Sequence, residues 1–480
     1  MYKSTLIEYL RKFTAKEIRE FGEFVHSPFF NKNESVIKLF EYLRKQYPVF
    51  DERKLEKEYV YGKIFPNVEY SDGFMRTLMF DLSALAESYL AYTRYKESHF
   101  TEKKFLLYEL NERELDNLIK RKMKEILKGF EGIRVRDADY YYDKFMIEYE
   151  YFYYLNRINL DKIEKFINRT YVEDMFNDLT YFYLFYAIKH YIYFLTTRSM
   201  YSIDIKTELL EDIVKSLKPQ YLQEVPAISL YYDILMLLVK EDETSYFYKV
   251  KKKVVEFEDR LNRYEITGAY INLENYCKRM IRKGKTDFVR ELFEIYKVYL
   301  EKKVYSLQNE MSAKFYRGVV DTALKLKEFE WTKEFIEKYK RELTSDSREN
   351  TYYYSLALYE FALKNFEKSL ELLSKVKYTE IYHKTELRCL ITALYYELNA
   401  EDSLLSHIDS FRHFLTNDKL IPAERKQYYS SFIKYTKNLN ALREKDKKAE
   451  VHYLYKRVQE DPAVYNKEWL LEKLAELEQK

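Results

Sequence analysis

At 480 residues the chain is too long for one compact helical core, and 52 Tyr and 32 Phe against 8 Gly and 7 Pro leave too few turn residues for sandwiches, barrels or glycine-loop nucleotide folds. Lys plus Arg total 82 and Asp plus Glu 79, a net charge of +3 with the signs interspersed, so no basic stripe marks a dedicated nucleic-acid binder. Cys277 and Cys389 are far apart and belong to no CxxC pair, which fits a reducing compartment without structural zinc.

The N-terminus, MYKSTLIEYLRKFTAKEIREFGEF, is charged every few residues and lacks the apolar core of a signal peptide. The most apolar window, LTYFYLFYAIKHYIYFL at 179–195, carries Lys189, His190 and many tyrosines, so it reads as a buried helix rather than a span. The expectation is a cytoplasmic protein with no membrane partner.

Residues 1–132 read as an N-terminal helical domain punctuated by Pro28, Pro48 and Pro66. Thr14 and Glu17 form a capping box, and Ile18, Phe21, Phe24 and Val25 follow helical spacing. Ser27-Pro28 ends that helix. Asn31 or Asn33 caps the next, whose inner stripe is Val36, Ile37, Leu39, Phe40 and Leu43. Between stop and start, Phe29 and Phe30 are expected to bury both rings as a plug between the two helices.

Here the chain resembles a known family. The pattern F-x-x-F-V-x-S-P-F-F-N-K-N, an L-F-x-Y-L helix and K-I-F-P are similar to a family of all-helical proteins from Bacteroidetes-type bacteria. The tail N-K-E-W-L-L-E-K-L, residues 466–474, resembles the same family's C-terminus. The resemblance implies a shared architecture over the whole chain and brings no activity with it.

From residue 133 to about 460 the pattern becomes paired amphipathic helices, with Lys218-Pro219 and Val225-Pro226 bracketing one connection. Later, a degenerate tetratricopeptide-like rhythm aligns on Thr286, Phe329, Phe366 and Leu404, longer than the usual repeat and without its terminal proline. The fold class predicted is all-α: the N-terminal domain, then an α-solenoid of stacked hairpins over 133–460. A last helix over 461–480, capped by Asn466 and presenting Trp469, Leu470, Leu474 and Leu477, is expected to seal the array.

Chemistry-bearing patterns are sparse. Glu-x-x-His occurs at Glu23/His26 and Glu380/His383, too far apart to suggest the paired motifs of a di-metal site, and chance explains them better. No G-x-S-x-G, P-loop or kinase motif is present, and both cysteines fall at apolar positions. A helix-turn-helix over 55–89 has too long a connection, and the basic run Lys120 to Lys124 is interleaved with acids as on a solvated helix face.

The remaining candidate is a groove. In tetratricopeptide-like stacks the first helix of each pair lines the concave side, and the family's offsets select Lys278, Arg282, Arg317, Asp321 and Lys325, then Tyr354, Leu358, Phe361 and Tyr396. That pattern suggests a basic section beside an aromatic one, suited to an acidic peptide or partner helix. The expected function is a non-catalytic protein-binding scaffold without metal or cofactor. The alternative is a nucleic-acid-associated regulator whose repeats sense a partner.

Overall fold

The structure is a computed structural model that describes residues 1–98, 100–158, 169–201, 206, 208–215, 217, 219–305, 310–377, 381–418, 421, 423–443 and 448–479. Among these the regular structure is entirely helical, with one isolated bridge between Met311 and Leu343. No helix among the described residues is long and apolar enough to cross a membrane. The chain forms two compact units: Met1–Lys189 with Glu208–Tyr221, and His190–Thr207 with Leu222–Lys480.

The first unit opens with α1 (Thr5–Lys12), α2 (Ala15–His26), α3 (Glu34–Arg44), α4 (Lys57–Ile64) and α5 (Asp72–Glu97), which share a core including Leu6, Phe21, Leu39, Phe40 and Leu82. The Thr14 capping box forms as expected: Glu17 N–H donates to Thr14 Oγ1 at 3.2 Å and Thr14 N–H to Glu17 at 2.7 Å. Asn33 caps α3 by accepting from Ser35 N–H at 3.0 Å.

The aromatic plug is overturned. Phe29 is 86% exposed and Phe30 37%, while Asn31 is buried. The Ser27 carbonyl accepts from the N–H groups of Phe30 and Asn31, turning the chain so that Asn31 faces inward. There it donates to the Val25 carbonyl at 2.9 Å and accepts from Asn33 N–H at 2.9 Å. A buried amide with its bonds made replaces the expected rings at this joint.

The boundary expected at 132/133 also moves. Helix α6 (Thr101–Glu112) packs on α7 (Asp116–Glu131) and on α8 (Ala138–Ile158), so residues 133–189 belong with the first unit. The physical reason is the face of α8 that carries Tyr140, Ile147 and Tyr154, which is buried. Helix α9 (Arg169–Tyr201) begins in this unit and contributes Asp178. Lys144 Nζ of α8 lies 2.5 Å from Asp178 and 3.5 Å from Glu148.

After α10 (Glu208–Lys215) and α11 (Pro219–Glu224), the second unit pairs successive helices. These are α12 (Pro226–Val239) with α13 (Ser245–Glu256), α14 (Arg263–Arg282) with α15 (Asp287–Lys302), and α16 (Ala313–Lys325) with α17 (Phe329–Tyr339). They continue as α18 (Arg348–Ala362) with α19 (Phe366–Ser374) and α20 (Ile381–Glu397) with α21 (Glu401–Asn417). First helices also touch one another: α12 on α14, α16 on α18 and α20 on α22 (Ala423–Ala441). Helices α23 (Lys448–Glu460) and α24 (Lys467–Glu478) close the chain, and α24 packs on both α22 and α23.

Four of these hairpins turn in the same way. A residue in left-handed conformation follows the first helix: Gly284 (φ 84°), Lys327 (58°), Lys364 (64°) and Asn399 (58°). Its N–H bonds the carbonyl three residues back, and the next N–H bonds the carbonyl five back, as with Lys327 to Leu324 at 2.9 Å and Glu328 to Ala323 at 3.0 Å. This satisfies the orphan carbonyls of the helix end. Counted from these turns, the equivalent positions are Thr286, Phe329, Phe366 and Glu401, so the alignment on Leu404 runs three residues late.

At the C-terminus Trp469, Leu470 and Leu474 are buried as expected. Asn466 is not a side-chain cap: its backbone is left-handed (φ 49°) and its amide makes no capping bond.

Candidate functional site

Four of the expected groove residues meet. Lys278 and Arg282 of α14 and Lys325 of α16 line one concavity of about 270 Å³ together with Asp321, over a floor that includes Leu292 and Tyr296 of α15. Helical spacing explains the arrangement, since 278 and 282, like 321 and 325, lie one turn apart on a common face.

Most of this charge is already engaged. Lys278 Nζ lies 2.5 Å from Glu274, and Lys325 Nζ lies 2.9 Å from Asp321. Asp321 holds the Lys325 ammonium above its ordinary range, against desolvation, and Glu468 of α24 adds to the effect. Arg282 is exposed and makes no ion pair among the described residues. Its guanidinium is therefore available to a ligand.

Gly318 explains how close the walls come. A Cβ there would lie 3.0 Å from the Tyr296 hydroxyl, so glycine lets α16 approach α15 at this point. Tyr296 is buried, which pushes its hydroxyl far above the usual phenol range, and that hydroxyl lies 3.4 Å from Glu274.

The rest of the predicted groove is rearranged. Arg317 faces Glu386 of α20 at 3.8 Å and lies 6.0 Å over the Tyr354 ring. Burial pushes the Glu386 carboxyl up, Arg317 opposes the shift, and Asp321 reinforces it. Tyr354 is only 3% exposed, because α18 is buried on several sides through Ser355, Leu356, Ala357 and Tyr359 as well.

Tyr396, also 3% exposed, is covered by Arg443 at 4.3 Å and by the edge of Trp469 at 5.5 Å. Phe361 is half-buried against the C-terminal core and meets Phe366 at 5.6 Å. The aromatic section is thus mostly interior, and acids temper the basic one. Sequence reasoning missed Glu274, Gly318 and Glu386. Glu274 had a signal, one turn before Lys278, and so did Gly318, a lone glycine inside a helical pattern.

Other candidates have local explanations. The His26 ring lies 2.7 Å from the Gly22 carbonyl and 3.6 Å from Glu41. Of the Glu380/His383 pair, Glu380 lies outside the described residues. Within the basic run, Lys122 pairs with Glu125 at 2.8 Å. Among the described residues no group of three or more His, Cys, Asp or Glu is placed to hold a metal. Cys277 and Cys389 are buried and unbridged, and burial pushes both thiols up. Set against known proteins, the chain matches no family model, no curated protein and no solved structure.

Proposed function

We propose that this chain is a non-catalytic, protein-binding scaffold whose second unit is a tetratricopeptide-like α-solenoid, reading an extended peptide or partner helix along its first helices. The observation that carries this reading is Arg282, an exposed cation without an ion pair at a concavity whose other cations are partly neutralised and whose floor is apolar. A partner carboxylate on Arg282, with an apolar neighbour over Leu292 and Tyr296, matches that chemistry. Repeated left-handed turns support a repeat architecture. Two buried, unbridged cysteines support a cytoplasmic setting.

The test is capture by the tagged full-length chain from its host, with and without nuclease, followed by affinity measurement on the captured protein. A nuclease-resistant protein whose affinity falls about tenfold or more with Arg282→Glu plus Lys325→Glu, at unchanged melting temperature, is expected. Recovery that collapses with nuclease, or affinity indifferent to both reversals, contradicts the reading.

A further inference from the structure

The loop at residues 27–33 is held by its own hydrogen bonds in a shape that keeps a phenylalanine in water. Buried Asn31 pins it from within, and the Ser27 carbonyl closes its turn, leaving Phe29 86% exposed. A slack loop could fold such a ring back onto the protein. This one is fixed outward, which is unfavourable until another surface covers it.

Phe29 belongs to a larger apolar strip. Phe30 stacks on Phe24 with centroids 3.9 Å apart, meets Phe29 edge to face at 5.0 Å and reaches Tyr92 of α5 at 5.4 Å. The run continues from Tyr92 to Tyr95 and on to Phe105 of α6, each step 6.2 Å. Phe30, Tyr92 and Phe105 are themselves exposed, so rings from three segments form one contiguous patch. Single exposed apolar residues are ordinary, whereas contiguous ones mark an interaction surface.

The margin of the strip is cationic. Lys32 lies two residues after Phe30 in the chain, and Lys96 Nζ lies 5.7 Å over the Tyr92 ring. Both are exposed and make no ion pair among the described residues. We propose that this strip docks an acidic segment of a partner protein, whose apolar side chains cover Phe29, Phe30 and Tyr92 while its carboxylates meet Lys32 and Lys96.

A bilayer suits the patch less well: one protruding ring and two lysines hold less firmly than a single acyl chain, itself a marginal anchor. Single-stranded nucleic acid needs open ring faces in series, and Phe24 already occupies a face of Phe30. The proposal concerns the first unit alone and does not depend on the concavity at Arg282.

The experiment presents the full-length chain to a display library of short random peptides, then titrates the most enriched one as a labelled synthetic peptide. Peptides joining Asp or Glu to Leu, Ile, Phe or Trp are expected. Their affinity should fall about tenfold with Phe29→Ala and about threefold with Lys32→Glu or Lys96→Glu, and should ignore Arg282→Glu. Phe29 is too exposed for its truncation to unfold the protein, and an unchanged thermal melt checks this. Enriched peptides that lack acidic residues, that ignore Phe29→Ala or that all depend on Arg282 overturn the proposal. Phe29-dependent binding found only with phosphatidylserine vesicles or oligo(dT) overturns it equally.

Discussion

Trp469 donates its indole N–H to Glu397 Oε1 at 2.7 Å, joining residues 72 apart in the chain. Lys473 Nζ reaches the same oxygen at 3.2 Å, and the side chains of Lys473 and Glu397 are both almost fully buried. One carboxylate thus ties α24 to the end of α20. Glu397→Ala strands a buried donor and leaves Lys473 with Glu476 as its nearest anion, so it should cost about 3–5 kcal/mol. Glu397→Gln keeps an acceptor for Trp469 and should cost clearly less. Urea denaturation of the two variants measures the difference.

Inside the first unit, Lys144 faces two carboxylates, Asp178 and Glu148. Burial pushes Glu148 up to about 7 against the opposing pull of Lys144, and Asp178 adds to the rise. A carboxyl whose folded pKa lies above its unfolded value keeps its proton where the unfolded chain releases it. Stability should therefore fall as pH rises from about 4.5 to about 7, and level off beyond. The full drop is at most about 3 kcal/mol. Glu148→Gln should flatten that slope, which urea midpoints at a series of pH values will read.

Gly318 and Tyr296 form a steric pair. Alanine favours a helix over glycine by about 1 kcal/mol, yet a Cβ at 318 would press on the Tyr296 hydroxyl at 3.0 Å. In the wild type Gly318→Ala should lose about 1 kcal/mol. With Tyr296→Phe in place the same substitution should gain about 1 kcal/mol, because the opposing oxygen is gone. A double-mutant cycle in urea tests the coupling.

The left-handed turns make a contrary prediction. Lys327 and Lys364 hold φ of 58° and 64°, a conformation costly for any residue with a Cβ. Lys327→Gly and Lys364→Gly should each stabilise by about 0.5–1 kcal/mol, less the entropy glycine adds to the unfolded chain. A rise in melting temperature for either variant verifies this, and a fall refutes it.

At the N-terminal loop, Phe29→Ala should leave stability within about 0.5 kcal/mol of wild type. Phe30→Ala should cost about 1–2 kcal/mol, since it removes the stack on Phe24 and the edge contacts with Phe29 and Tyr92 from a ring that is itself exposed. Thermal melts of the two variants separate these outcomes.

Local signals carried furthest from sequence to structure. The Thr14 capping box and the Asn33 cap are written within a few residues and form as read. The loop at 27–33 misleads because hydrophobicity sends Phe29 inward, whereas the hydrogen bonds of Asn31 decide which side chain enters. Hairpin turns stay hidden where lysine or asparagine occupies a conformation normally announced by glycine, so Gly284 is legible and Asn399 is not.

The candidate site divides along the same line. Lys278, Arg282 and Lys325 lie on helix faces that spacing alone reveals. Tyr354 and Tyr396 are withdrawn by residues distant in sequence, Arg317 for one, Arg443 and Trp469 for the other, which no local pattern reports.

The main-chain latch at each turn has a consequence for how this protein could change. Because backbone groups shut the turns at Gly284, Lys327, Lys364 and Asn399, the side chains of Lys278, Arg282 and Lys325 take no part in the turn hydrogen bonds. Frame and lining are separate inheritances: a few exchanges at Lys278, Arg282 and Lys325 would recast the charge of that concavity without recasting the chassis.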